Sequence, residues 1–155
     1  MSLLNGNGSF LSKQSDIALP FKPFTADEVK AITGAPNDLI DHWGNVIGLK
    51  RGEVGFEQGF EWMGCFAVFV GWRWVQEGAG LERATPVVKC IANMAEGNLR
   101  WGIREGKDFP APGTAGPTGT IGYLVAPTTK LMRKLRLKDM LAEFESNVKR
   151  VFPKG

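Results

Sequence analysis

The chain has 155 residues, enough for one domain with a modest core, and its 43% apolar content separates it from disordered compositions. A formal charge of +3 is too small to point to nucleic acid, and two cysteines, Cys65 and Cys90, exclude a disulfide-rich scaffold. Glycine at 20 and proline at 9 promise much turn and extended structure.

Residues 1–24 read as an extended N-terminal arm, and 25–155 as a single small domain. "MSLLNGNGSFLSKQ" is rich in Gly, Asn and Ser, and it lacks the charged start and apolar block of a secretory signal. In "ALPFKPF", Pro20 and Pro23 favour extended backbone around Phe21 and Phe24. Two such rings are expected to cover a neighbouring surface, so Phe21 and Phe24 are candidate partner contacts.

Thr25 then offers a helix N-cap with Glu28 at the capping-box position, and Gly34 a stop. "PNDLIDHWG" predicts a second short helix, with Asn37 as cap and Gly44 at its end. "TPVVKCIANM" after Pro86 fits either a strand or a helix with proline at its first position. In "NLRWGIREG", Leu99, Trp101 and Ile103 alternate with polar or small residues, which predicts a half-buried strand. "FPAPGTAGPTGTIG" has the composition of a loop.

A C-terminal amphipathic helix is expected near 129–151. Leu137, Met140, Leu141, Phe144, Val148 and Val151 recur on one face. Its first turns carry Lys130, Arg133, Lys134, Arg136 and Lys138, a solvated face or a basic patch for anionic lipid or an acidic partner.

The central stretch "GEVGFEQGFEWMGCFAVFVGWRWVQEG" supports two architectures. No residue from Trp62 to Trp72 is charged, but 11 residues make only about 16 Å of helix against a bilayer core of ~30 Å. A spanning helix therefore has to run over 55–75 and take in Glu57, Glu61 and Arg73. Gly52, Gly55 and Gly59 would then form a small-residue face for a partner helix, and Trp72 and Trp74 an interfacial belt. Glu61 would lie deep and require a partner. Alternatively, the aromatic and β-branched "CFAVFVGWRWV" suits a strand, with Gly71 at a bulge.

"GLKRGEVGFEQGFEWMG" resembles the opening of the first membrane helix in the photosystem I reaction-centre subunit L family, with its pattern L-R-G-L-E-V-G-x-x-x-G-Y-x-x-x-G. Glu53, Val54, Gly55, Gly59, Phe60 and Gly64 match in register over about a dozen residues, and Gln58 stands where that family carries a histidine. The resemblance implies a small peripheral subunit of a pigment-bearing complex, with chlorophyll as cofactor and the thylakoid membrane as location. By position it gives Glu53 a role as oxygen ligand to a chlorophyll magnesium. Glu61 joins it as a candidate cofactor contact, because a deep acid must face protein or a metal-centred pigment.

Catalytic signatures are sparse. His42 is the one histidine, too few ligands for a His-based metal site. A Cys65–His42 nucleophile pair has no local support. "GTAGPTGTIG" lacks the context of a phosphate loop, and Glu57 with Glu61 are acids without further machinery.

The expectation is thus a non-catalytic chain, mainly α with irregular and extended segments. It has one short membrane-embedded helix near 55–75 and the C-terminal helix near 129–151. Its function would be to stabilise a multi-subunit membrane complex or dock antenna, with other subunits and lipid as partners and no nucleic acid. The alternative is a soluble α+β structural or assembly protein, such as a virion or tail component, with strands near 62–76 and 99–104. A small-ligand-binding domain is the third reading. Cys65 and Cys90 are expected to be buried thiols.

Overall fold

In the computed structural model, residues 23–53, 55–106 and 136–153 are described. Residues 1–22, and with them Phe21 and most of the expected arm, lie outside that range. So do the loop over 109–122, the basic residues Lys130, Arg133 and Lys134, and the first part of the expected C-terminal helix.

The first helix, α1, spans Ala26–Thr33. Its start is the predicted capping box: Glu28 N donates to Thr25 Oγ1 at 3.1 Å, and Thr25 N donates to Glu28 Oε1 at 2.9 Å. Its end is also as expected. Gly34 takes the left-handed conformation at φ 77°, and its N–H caps the Lys30 carbonyl. Helix α2, Asn37–Val46, begins one residue after an extended Pro36 and runs through Gly44 rather than stopping there.

Gly44 continues the helix because its bare backbone receives a ring. A Cβ at this position would lie 2.3 Å from Phe56 Cζ. Phe56 belongs to a two-residue hairpin, in which β1 (Arg51–Gly52) pairs antiparallel with β2 (Gly55–Phe56). The chain then passes back along Phe24. Phe24 N donates to Phe60 O at 2.7 Å, and Phe60 N donates to Phe24 O at 2.8 Å.

Helix α3, Trp62–Gln76, is the centre of the molecule. Gly64, Cys65, Phe66, Ala67, Val68, Phe69, Val70, Gly71 and Trp74 on it are all buried. A helix apolar on every face is stable only when other elements enclose it. Helices α1, α4 (Leu81–Ala92) and α6 (Leu137–Val151) pack directly on it. A nine-residue helix, α5 (Glu96–Arg104), follows α4 and buries Leu99 and Gly102.

The expected membrane helix over 55–75 is therefore corrected. Gly55 has φ 83° and lies in the hairpin, and the helix begins only after Glu61. At 15 residues it reaches about 22 Å, short of a ~30 Å bilayer core. No helix among the described residues is long and apolar enough to cross a membrane. The alternative strands are corrected as well, since 62–76 and 99–104 are helical. Leu99 and Ile103 satisfy a period of two and a spacing of i, i+4 equally. Buried Gly102 at i+3 is what completes the inward face, leaving Trp101 outside.

Pro86 does not open α4 but sits inside it. It removes an N–H on an exposed face, where water can satisfy the freed carbonyl. Across the bundle, Trp43 Nε1 donates to Thr85 Oγ1 at 3.0 Å and ties α2 to α4.

Gly71 sets the spacing of α3 and α4. A Cβ there would meet Val88 Cγ2 at 2.3 Å and Trp43 Cη2 at 2.9 Å. Helix α6 presents Leu137, Met140, Leu141, Phe144 and Val148 inward, as its periodicity predicts. Phe144 has ring contacts with Trp62, Phe66 and Phe69 at centroid distances of 5.1, 5.1 and 5.6 Å. Both cysteines are free and buried. Trp74 Nε1 finds no acceptor among the described residues, so its burial rests on the apolar area of the ring.

Three outcomes follow from this packing. Gly71→Ala should destabilise the fold by about 1–3 kcal/mol in urea unfolding, because α3 and α4 must separate. Val88→Ala in the same chain should recover part of that loss, and strict additivity would show that the two sites do not touch. Phe144→Ala should cost about 3–5 kcal/mol; a change near zero would mean the aromatic cluster is not packed as described. Cys65 should resist thiol-reactive reagents at pH 8 in the native chain and react on unfolding, since burial and then the negative charge of Glu28 hold its pKa far above the usual value.

Candidate functional site

Three of the residues singled out by sequence, Phe24, Gly59 and Glu61, meet at one loop, Glu57–Glu61, between β2 and α3. Its base is rigid. Phe60 is fully buried, exchanges two backbone hydrogen bonds with Phe24, and meets Phe56 edge-on at 5.7 Å. Gly59 permits this approach, because a Cβ there would lie 2.4 Å from the Phe24 carbonyl oxygen. The loop exposes Glu57, Gln58 and Glu61.

Two open cavities flank Gly59. One, of about 490 Å³, lies toward the start of α1 and is lined by Thr25, Asp27, Phe56 and Glu57 among others. The second, of about 410 Å³, lies between the end of α2, the loop, the first turn of α3 and the end of α4. Its walls are Pro23, Ile47, Leu49, Met63 and Ala92, with backbone surface at Gly48, Gly59 and Gly64, and its polar groups are Gln58 and Glu61. Glu61 is the N-cap residue of α3, yet its carboxylate makes no cap hydrogen bond to that helix. It also forms no ion pair with the described residues.

The candidate residues are thus partly reunited and partly dispersed. Phe24, Gly59 and Glu61 meet at this loop. Phe24 serves the core, at 2% exposure. Gly52 and Gly55 face each other across the hairpin, and they share no helix face with Gly59. Glu53 is exposed in the hairpin turn and lines neither cavity. The register that suggested magnesium ligation by Glu53, and pigment contact by Glu61, belonged to a continuous helix; here the same residues span a hairpin, a loop and a helix start. The photosystem reading therefore has no structural counterpart in this stretch. Ile47, Leu49, Met63 and Ala92 were not legible as site residues, because they come from separate elements and read as ordinary core positions.

A third cavity, of about 320 Å³, lies among α1, α3 and α6, but its charged groups are already engaged. Arg73 pairs with Glu143 and lies over the Phe69 ring, and Asn147 Nδ2 donates to the Ile32 carbonyl at 2.9 Å. On the other flank of α6, Arg100 donates to Glu96 at 2.9 Å and Glu145 at 2.7 Å, and its guanidinium lies over the Trp62 ring. Burial acts to lower the Arg100 pKa, but hydrogen bonds to Glu145 and Glu96 outweigh it and raise the value.

His42 is exposed on α2 while Cys65 is enclosed and its thiol kept protonated, so the pair considered from sequence offers no activated nucleophile. No group of three His, Cys, Asp or Glu side chains among the described residues is placed to hold a metal ion. Leu81 and Trp101, at 49% and 39% exposure, are the large apolar side chains that stand out from the described surface. Compared with known proteins, the chain matches no family model, no curated protein and no solved structure.

Proposed function

We propose that this chain is a non-catalytic structural or assembly component that acts by binding a partner protein. The observation that carries this reading is the exposure of Trp101 and Leu81 outside a core that already encloses four other tryptophans at least in part. Tryptophan is enriched among the residues that dominate protein interfaces, because it brings a large rigid area and one donor. The strongest charged groups support the same reading. Arg73 and Arg100 are used to fasten helices to each other, as a scaffold requires.

A second reading is favoured by a specific feature. The 410 Å³ cleft beside Gly59 brings the apolar side chains of Ile47, Leu49, Met63 and Ala92 together with two polar side chains, Gln58 and Glu61, a mixture suited to a small ligand with one polar group.

Partner binding is tested by sedimentation in native extracts of the source cells. The wild-type chain should travel in a particle well above 16.9 kDa, and Trp101→Ser with Leu81→Ser should return it to monomer size while its circular dichroism is unchanged. A wild-type chain that sediments as a monomer, or a double variant that remains in the particle, would overturn the reading.

A further inference from the structure

The Glu61 cleft has a feature that narrows its ligand. An exposed carboxylate, Glu61, lines the cleft without a cation from the described residues and without a cap bond to its own helix. The cleft is also lined by apolar side chains: Ile47 and Leu49 after α2, Met63 on α3, and Ala92 at the end of α4. A ligand seated there satisfies the site only if it brings an apolar body for the walls and a positive donor for Glu61.

We propose that this cleft binds a small organic amine with a compact apolar body, its ammonium group paired with Glu61. The inference rests on the small-ligand reading above and adds the chemical class. Three physical terms converge on it. A charge-assisted hydrogen bond is about twice as strong as a neutral one. The thioether of Met63 is polarisable and adapts its shape, so the walls accept aliphatic or aromatic bodies of similar size. Gln58 on the same rim can accept a second ammonium proton through its side-chain carbonyl. Anionic ligands are disfavoured, since Glu61 would face them without a compensating cation.

The probe is 2-phenylethylamine at neutral pH, with 2-phenylethanol as its uncharged counterpart, titrated into the full-length chain and followed by amide chemical shifts. The expected result is a saturable shift confined to Gly48, Gly59, Gly64 and their neighbours, with a dissociation constant on the order of 1 mM for so small a ligand. The alcohol should bind at least tenfold more weakly. Glu61→Gln, an exposed position whose change leaves the core intact, should weaken the amine by at least tenfold and leave the alcohol unaffected. Ala92→Phe should fill the cleft and abolish both.

Equal binding of amine and alcohol in the cleft would overturn the amine assignment while leaving a ligand site in place. No shift from either probe, or shifts mapping elsewhere on the chain, would overturn both the assignment and the small-ligand reading. Unchanged amine affinity in Glu61→Gln would remove Glu61 from the site.

Discussion

The burial of α3 is the constraint from which the rest of the structure follows. Its sequence, WMGCFAVFVGWRWVQ, has aromatic and β-branched residues that do not favour a helix on their own. It also has no polar face to offer water over most of its length. Both problems are solved by enclosure, because the apolar area removed from water outweighs a propensity deficit of a few tenths of a kcal/mol per residue. The helices that pack on it, α1, α4 and α6, are accordingly amphipathic, and each turns its apolar stripe toward the same axis.

Enclosure at this density requires small residues at the points of closest approach and polar fastenings at the rim. Gly71, Gly44 and Gly59 each admit a neighbour that any Cβ would displace. Arg73 and Arg100 then hold α6 along two sides of the aromatic cluster. These partly exposed pairs contribute at most about 1 kcal/mol each. They fix the rotation of α6 about its axis more than they add to stability, and the rings of Phe144 and its neighbours supply most of the adhesion.

Local signals in the sequence were legible where the interaction itself is local. The Thr25–Glu28 capping box, the Gly34 stop and the inward stripe of α6 depend on residues three or four apart, and the structure has them where the spacing puts them. The central stretch was misread because its meaning is tertiary. Spaced glycines read equally well as a membrane packing face or as separate local devices: here Gly55 takes a left-handed turn, Gly59 admits the Phe24 backbone, and Gly71 admits Val88 and Trp43. A run with no charge reads as lipid-facing until amphipathic neighbours are placed around it. The alternation of Leu99, Trp101 and Ile103 failed for a related reason, since two of its three positions fit either period. The cleft beside Gly59 was invisible because its walls converge from four segments separated by up to about seventy residues.

The order in which α3 acquires its cover has a consequence for biosynthesis. Asn147 contacts the Ile32 carbonyl across 115 positions, and Phe144 closes over rings that left the ribosome some eighty residues earlier. During synthesis at roughly 5–20 residues per second, Phe66, Phe69 and Trp62 therefore wait several seconds without the helix that shields them. A nascent chain in that interval presents a sticky aromatic strip, the kind of surface that recruits holding chaperones. For this chain, helix α6 is the cover that closes the aromatic strip, and its arrival marks the point at which those rings leave contact with water.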